Sequence, residues 1–152
     1  MTEDIKSKLT PNIECDPQEI TEYLNCAYDV YMKMGHEELF EVVWKLRQYS
    51  LFIKKEYNES AARARWCYNN IIKVGKPAAS EFDSYDKDER LQCAIQNNEH
   101  LKKLQDAKIK YDSDVVLLEG VDRSISYLTV MLERLLDYKF ERIKNERNSK
   151  DS

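Results

Sequence analysis

The chain has 152 residues, 34 % of them charged, a net charge of −4, and only three glycines and three prolines. So few chain breakers among so many charges argue against a sheet-rich fold and for long helices with solvated faces. No apolar run approaches the roughly 20 residues that span a bilayer. The N-terminal residues also lack the apolar core of a signal peptide, so a cytoplasmic location without membrane contact is expected.

Residues 1–15 are expected to form a flexible arm. The first helix start is Asp16-Pro17-Gln18-Glu19. Asp caps, Pro suits the first helical position, and Glu in the first turn reaches back to the cap. Apolar groups at Ile20, Leu24, Ala27, Val30 and Tyr31 keep helical spacing. Gly35 is expected to end this helix in a left-handed conformation.

A second helix is predicted from about His36 to Val74, with an apolar stripe through Leu39, Val42, Val43, Leu46, Tyr49, Ile53, Tyr57, Ala64, Cys67, Tyr68 and Ile71. Gly75 and Pro77 are read as its stop. The N-terminal helical region thus covers residues 16–76, and residues 77–86 are the loop that follows. Asp86-Lys87-Asp88-Glu89 repeats the cap signature.

From residue 87 to 146 the sequence holds no proline and one glycine, Gly120. A helix of some 60 residues would measure about 90 Å, so bends are expected at Tyr111-Asp112-Ser113-Asp114 or at Gly120, where backbone competition or glycine weakens a helix. Val115, Leu118, Val121, Ile125, Leu128, Leu132, Leu135 and Leu136 form the broadest apolar stripe. It is read as an oligomerisation region, the alternative being packing on the first helix of the same chain. Residues 147–152 are a polar tail. The fold class is therefore all-α, built from long helices with a helical C-terminal oligomerisation region.

Cys15, Cys26, Cys67 and Cys93 show no CxxC spacing, and neither His36 nor His100 has a soft ligand three or four residues away. No metal and no cofactor are expected. There is no Gly-rich phosphate loop, no Ser/His/Asp set and no Glu-x-x-His pair, so no catalytic residues are assigned and the chain is read as a non-enzyme.

The strongest lead is the segment Lys45–Lys76. It carries eight basic residues (Lys45, Arg47, Lys54, Lys55, Arg63, Arg65, Lys73 and Lys76) against Glu56 and Glu59, a local charge of +6. The rest of the chain, with 16 basic and 26 acidic residues, carries −10. A local positive patch attracts polyanions even when the whole protein is acidic. On a helical wheel the apolar positions span an arc of roughly 120° and the basic ones the opposite half. Trp44 and Trp66 lie on the side of Lys55 and Lys73. A basic face interleaved with aromatics holds single strands, cations tracking phosphates and rings stacking on bases. The alternative is that both tryptophans pack against another helix or subunit. Arg63 and Arg65, two residues apart, point about 200° from each other, so they require a broad surface or more than one subunit.

The run Arg63-Ala64-Arg65-Trp66-Cys67-Tyr68, after Ile53-Lys54-Lys55-Glu56, resembles the UvsY family of recombination mediator proteins of T-even-type phages. Gly75, Tyr85-Asp86-Lys87 and the helix beyond Leu91 follow in the family's order, so the resemblance covers roughly residues 45–145. It implies a mediator of DNA recombination and repair that loads a phage RecA-like recombinase onto single-stranded DNA coated by the phage single-strand binding protein. It also implies a homo-oligomeric ring held through the C-terminal helix, with Arg63 and Arg65 on DNA. The wheel, independently, adds Arg47, Lys54, Lys55, Lys73, Lys76 and Trp66 as DNA contacts. The competing function is a helical oligomeric scaffold or adaptor whose basic face binds an acidic protein partner.

Overall fold

A computed structural model of the chain describes residues 16–150. Among them are five helices and no strand: α1 (Pro17–Asn25), α2 (Tyr28–Lys33), α3 (His36–Ala79), α4 (Lys87–Asn97) and α5 (Glu99–Lys150). The protein is all-α. The expected N-terminal arm and the last two residues lie outside the described residues. The chain forms two compact units, one of residues up to 54 together with those from 120 onward, the other of residues 55–119.

In the first unit, Asp16 caps α1 as its sequence predicts, its carboxylate accepting from the Gln18 N–H at 3.0 Å. The single helix expected up to Gly35 is instead two, broken where Cys26 and Ala27 are extended. The break lets Tyr31 bury completely, and its hydroxyl donates to the Tyr23 carbonyl, which also accepts from the Cys26 N–H at the end of α1. Burial, reinforced by Cys26, pushes the Tyr31 phenol well above its ordinary range. Gly35 is not a left-handed stop, since no described glycine has a positive φ. Its carbonyl instead accepts from Leu39 and opens α3.

The first half of α3 and the last part of α5 run antiparallel in this unit. Three contacts fix the register: His36 against Phe140, Arg47 on Glu133, and Ser50 donating to Asp122 at 2.9 Å. Leu39, Val42, Val43, Leu46 and Ile53 are buried on α3, as are Ile125, Leu132, Leu135 and Leu136 on α5. Both sets keep a three-to-four residue spacing, one face of each helix. Thr129 is buried among them, its hydroxyl satisfied by the Ile125 carbonyl at 2.7 Å. Lys139 donates to the Met32 and Met34 carbonyls, 2.8 Å each, closing the end of α2. Part of the C-terminal apolar stripe is thus covered within the chain. Tyr127, Val130, Met131 and Tyr138 stay exposed on α5 and, with Tyr28 and Met32, line an open groove of about 810 Å³.

The second unit packs the rest of α3 against α4 and the start of α5. Its core is Cys67, Ile71, Ala94, Ile95, Leu101 and Leu104, flanked by Leu91, Phe82 and Tyr111. Here α3 runs on to Ala79, through the residues expected to stop it. Gly75 is buried and helical. A Cβ built there would lie 2.6 Å from Leu91 Cδ1 and 3.8 Å from Leu101 Cδ1, so the glycine serves close approach of α4. Pro77 falls in the last turn, where it removes a single main-chain bond, the one to the Lys73 carbonyl. Turns from Ser80, Glu81 and Phe82 then close on Pro77, Ala78 and Ala79. The loop is accordingly shorter than expected.

Asp86 caps α4, accepting from the Asp88 N–H at 2.9 Å. Glu89 does not complete a capping box: it accepts from the Ser84 hydroxyl, and Ser84 accepts from the Asp86 N–H. The long C-terminal helix breaks at Asn98, not at Tyr111–Asp114 or Gly120. The Asn98 side chain accepts from the Leu101 N–H at 3.1 Å and so caps α5. From there α5 runs without interruption to Lys150, through residues expected to be a tail.

Candidate nucleic-acid interface

The eight basic residues of Lys45–Lys76 all lie on α3, but the fold does not leave them equivalent. In the first unit Lys45 sits between Glu19 (2.6 Å) and Glu41 (3.2 Å). Its hydrogen bonds to Glu19 and then Glu41 hold the ammonium above its ordinary pKa. Arg47, expected on DNA, is instead engaged by Glu133, with Nε and Nη2 both on Oε1 and Nη2 also on Oε2, at 2.6 to 2.9 Å. A bidentate carboxylate occupies the fork that would take a phosphate, so a phosphate would have to displace Glu133 there. Lys54, the last α3 residue of this unit, is exposed and, among the described residues, forms no ion pair.

The second unit carries Lys55, Arg63, Arg65, Trp66, Lys73 and Lys76. Arg63 lies 4.0 Å from Glu59 and its guanidinium sits 5.7 Å from the centre of the Tyr111 ring. Tyr111 packs on the core cluster. Arg63 therefore fastens α3 to α5 inside this unit, with Glu59, one of the segment's two acids, beside it. Arg65, Lys55 and Lys73 are exposed and, among the described residues, make no ion pair. Trp66 is 61 % exposed between them. Neither Trp66 nor Trp44, at 58 % exposed, is packed away within the chain.

Below Arg65, at intervals of three, four, seven and eleven residues, come Tyr68, Asn69, Ile72 and Lys76 on one side of α3. The last four, with Ala79 and Ser80, form one wall of a cleft of about 610 Å³, and Lys87, Asp88, Arg90 and Leu91 of α4 form the other. Three cations line it against one carboxylate. The close approach at Gly75 and Leu91 sets the walls, because Lys76 and Arg90 are the chain neighbours of those two residues. Lys87, Arg90 and Tyr68 were not among the sequence-derived site residues. Tyr68 falls within the apolar stripe, yet half of its surface is exposed. The cations of α4 sit in an Asp-Lys-Asp-Glu-Arg run whose net charge reveals nothing until the helix sorts it.

Among the described residues no group of three His, Cys, Asp or Glu side chains is placed to hold a metal ion, and no helix is long and apolar enough to cross a membrane. The chain matches no protein-family model, no curated protein sequence and no solved structure.

Proposed function

We propose that this protein binds single-stranded DNA along the α3 face of its second unit and acts without catalysis, as a recombination mediator. The observation that carries the reading is Trp66, a largely exposed ring on a helix between Lys55, Arg65 and Lys73, none of which has an acidic partner among the described residues. Cations without partners offer phosphate contacts, and a ring that the chain does not bury offers a stacking platform. The mediator role rests on the resemblance of Arg63–Tyr68 and its ordered surroundings to the phage family. It comprises loading a RecA-like recombinase onto strands coated by a single-strand binding protein. Self-association belongs to the same proposal: the row Tyr127, Val130, Met131 and Tyr138 on α5 offers a second copy an apolar face. Several weak strand sites in one oligomer would compensate for the net negative charge through avidity.

Oligonucleotide titration tests the strand-binding core. With Trp44→Phe, Trp66 is the only tryptophan left, and its emission is expected to be quenched as a deoxythymidine oligomer is added. Trp66→Ala in the natural background is expected to weaken binding about 5- to 150-fold, from a stacking contribution of about 1–3 kcal/mol per base. Binding should fall as salt rises. No detectable strand binding at about 50 mM salt, with binding to poly-glutamate, would instead make the chain an adaptor for acidic proteins.

A further inference from the structure

The cleft between α3 and α4 lies beside the strand-binding face but is not made by it. Lys76, Lys87 and Arg90 converge there from two helices, and Asp88 is the one carboxylate among its lining residues. None of the three cations forms an ion pair among the described residues. Gathering like charges is unfavourable unless an anion joins them, the more so for Arg90, which is half-buried. Its planar guanidinium suits a phosphate, and the two ammonium groups add point charges. Tyr68 stands at the same cleft with half of its surface open, and Leu91 supplies an apolar patch beside it. A volume of about 610 Å³ is that of a small-molecule site. Arg65 lies one turn before Tyr68 on the same side of α3, so a strand held at Arg65 passes the mouth of the cleft.

We infer that this cleft takes one nucleotide of the bound strand, its phosphate held by Lys76, Lys87 and Arg90 and its base against Tyr68. The inference rests on the strand-binding reading above and makes the interface two-sided: an open platform at Trp66 and a walled subsite at Tyr68. A carboxylate would satisfy the cations but leave the ring unused, whereas a nucleotide uses both.

The test is fluorescence anisotropy with the full chain and a labelled deoxythymidine oligomer, over a salt series. Lys87→Gln with Arg90→Gln is expected to weaken binding at least tenfold and to reduce the log–log salt slope by about 1.4, at about 0.7 per phosphate contact on single strands. Lys87→Gln alone changes an exposed side chain that is not part of the core cluster, and is expected to remove about half of that slope change. Tyr68→Ala is expected to weaken binding about 5- to 150-fold, and an abasic oligomer should lose the Tyr68 dependence while keeping that of Arg90. Natural-sequence protein that binds the strand with all of these variants unchanged would overturn the cleft assignment and leave the Trp66 platform standing. Micromolar binding of free nucleoside monophosphate, with strand affinity unchanged in the variants, would also overturn it. Absence of strand binding by the natural-sequence protein would overturn both.

Discussion

Arg63 and Arg65 are neighbours in sequence with opposite employment in the fold, and their alanine variants should separate cleanly. Arg63 has two partners, Glu59 at 4.0 Å and the Tyr111 ring at 5.7 Å. Its side chain is 62 % exposed, so solvent screening reduces the ion pair to a few tenths of a kcal/mol at most. The cation–π contact adds about 0.5–1 kcal/mol at such a site. Arg63→Ala should therefore cost about 1 kcal/mol in the second unit. In a unit of 55–119 that lowers Tm by about 4–8 °C. Arg65 has no such partner among the described residues, and Arg65→Ala should leave Tm within a degree or so. Strand binding should behave the other way. One phosphate contact to a single strand contributes about 0.7 to the log–log salt slope, so losing it weakens binding about fivefold at 0.1 M salt and about fifteenfold at 0.02 M. Circular dichroism melts and anisotropy titrations on the two variants give all four values. A loss of strand affinity in Arg63→Ala at unchanged Tm, with Arg65→Ala indistinguishable from the natural sequence, would refute the division drawn from the structure.

Gly75→Ala sets a helix-propensity gain of about 1 kcal/mol against a contact of 2.6 Å with the mobile end of Leu91, so the net change should stay within about 1 kcal/mol. Gly75→Leu cannot be accommodated, and denaturant titration should show the second unit lost. Asn98→Ala removes the cap of α5 and should cost about 1 kcal/mol in the same assay. Alkaline pH should destabilise the first unit. Lys45 and Tyr31 both have folded pKa values raised above the ordinary 10.5 and 10.0. Their contributions are fully present below those ordinary values and decline as pH rises beyond them. Melts should be flat from pH 7 to about 9 with respect to both groups and fall above about 10. Glu19→Gln should remove much of the lysine part of that fall.

The helix caps at Asp16 and Asp86 were legible because capping is a local competition between one side chain and nearby N–H groups. The same local signals misled at Gly75 and Pro77. Gly75 makes room for Leu91, 16 residues later in the chain, and a turn signal does not distinguish a missing Cβ that frees the backbone from one that admits a neighbour. Asn98 was overlooked since Asn is tolerated inside helices, and only the packing of Ala94, Ile95 and Leu101 in one core explains why the chain stops and restarts there. The charge count over Lys45–Lys76 does not show which of its cations have partners elsewhere in the chain. Arg47 and Glu133 are 86 residues apart, a separation over which a charge tally sees two unrelated ions. Tyr68, Lys87 and Arg90, which line the cleft between α3 and α4, escape a sequence reading for the converse reason, each belonging to a pattern that taken alone reads as core or as solvated helix.

The burial of Cys67 in the second core has a practical consequence. Cys67 is 2 % exposed, whereas Cys93 in the same unit and Cys26 in the other are partly open. Alkylation of Cys93 and Cys26 can proceed on the folded chain, but Cys67 reacts only when the helices around it separate. The protein thus contains its own clock for that event. The ratio of Cys67 to Cys93 modification, followed by mass spectrometry, reads the opening free energy of the core beneath the proposed interface, and a strand that holds the helices together would slow it.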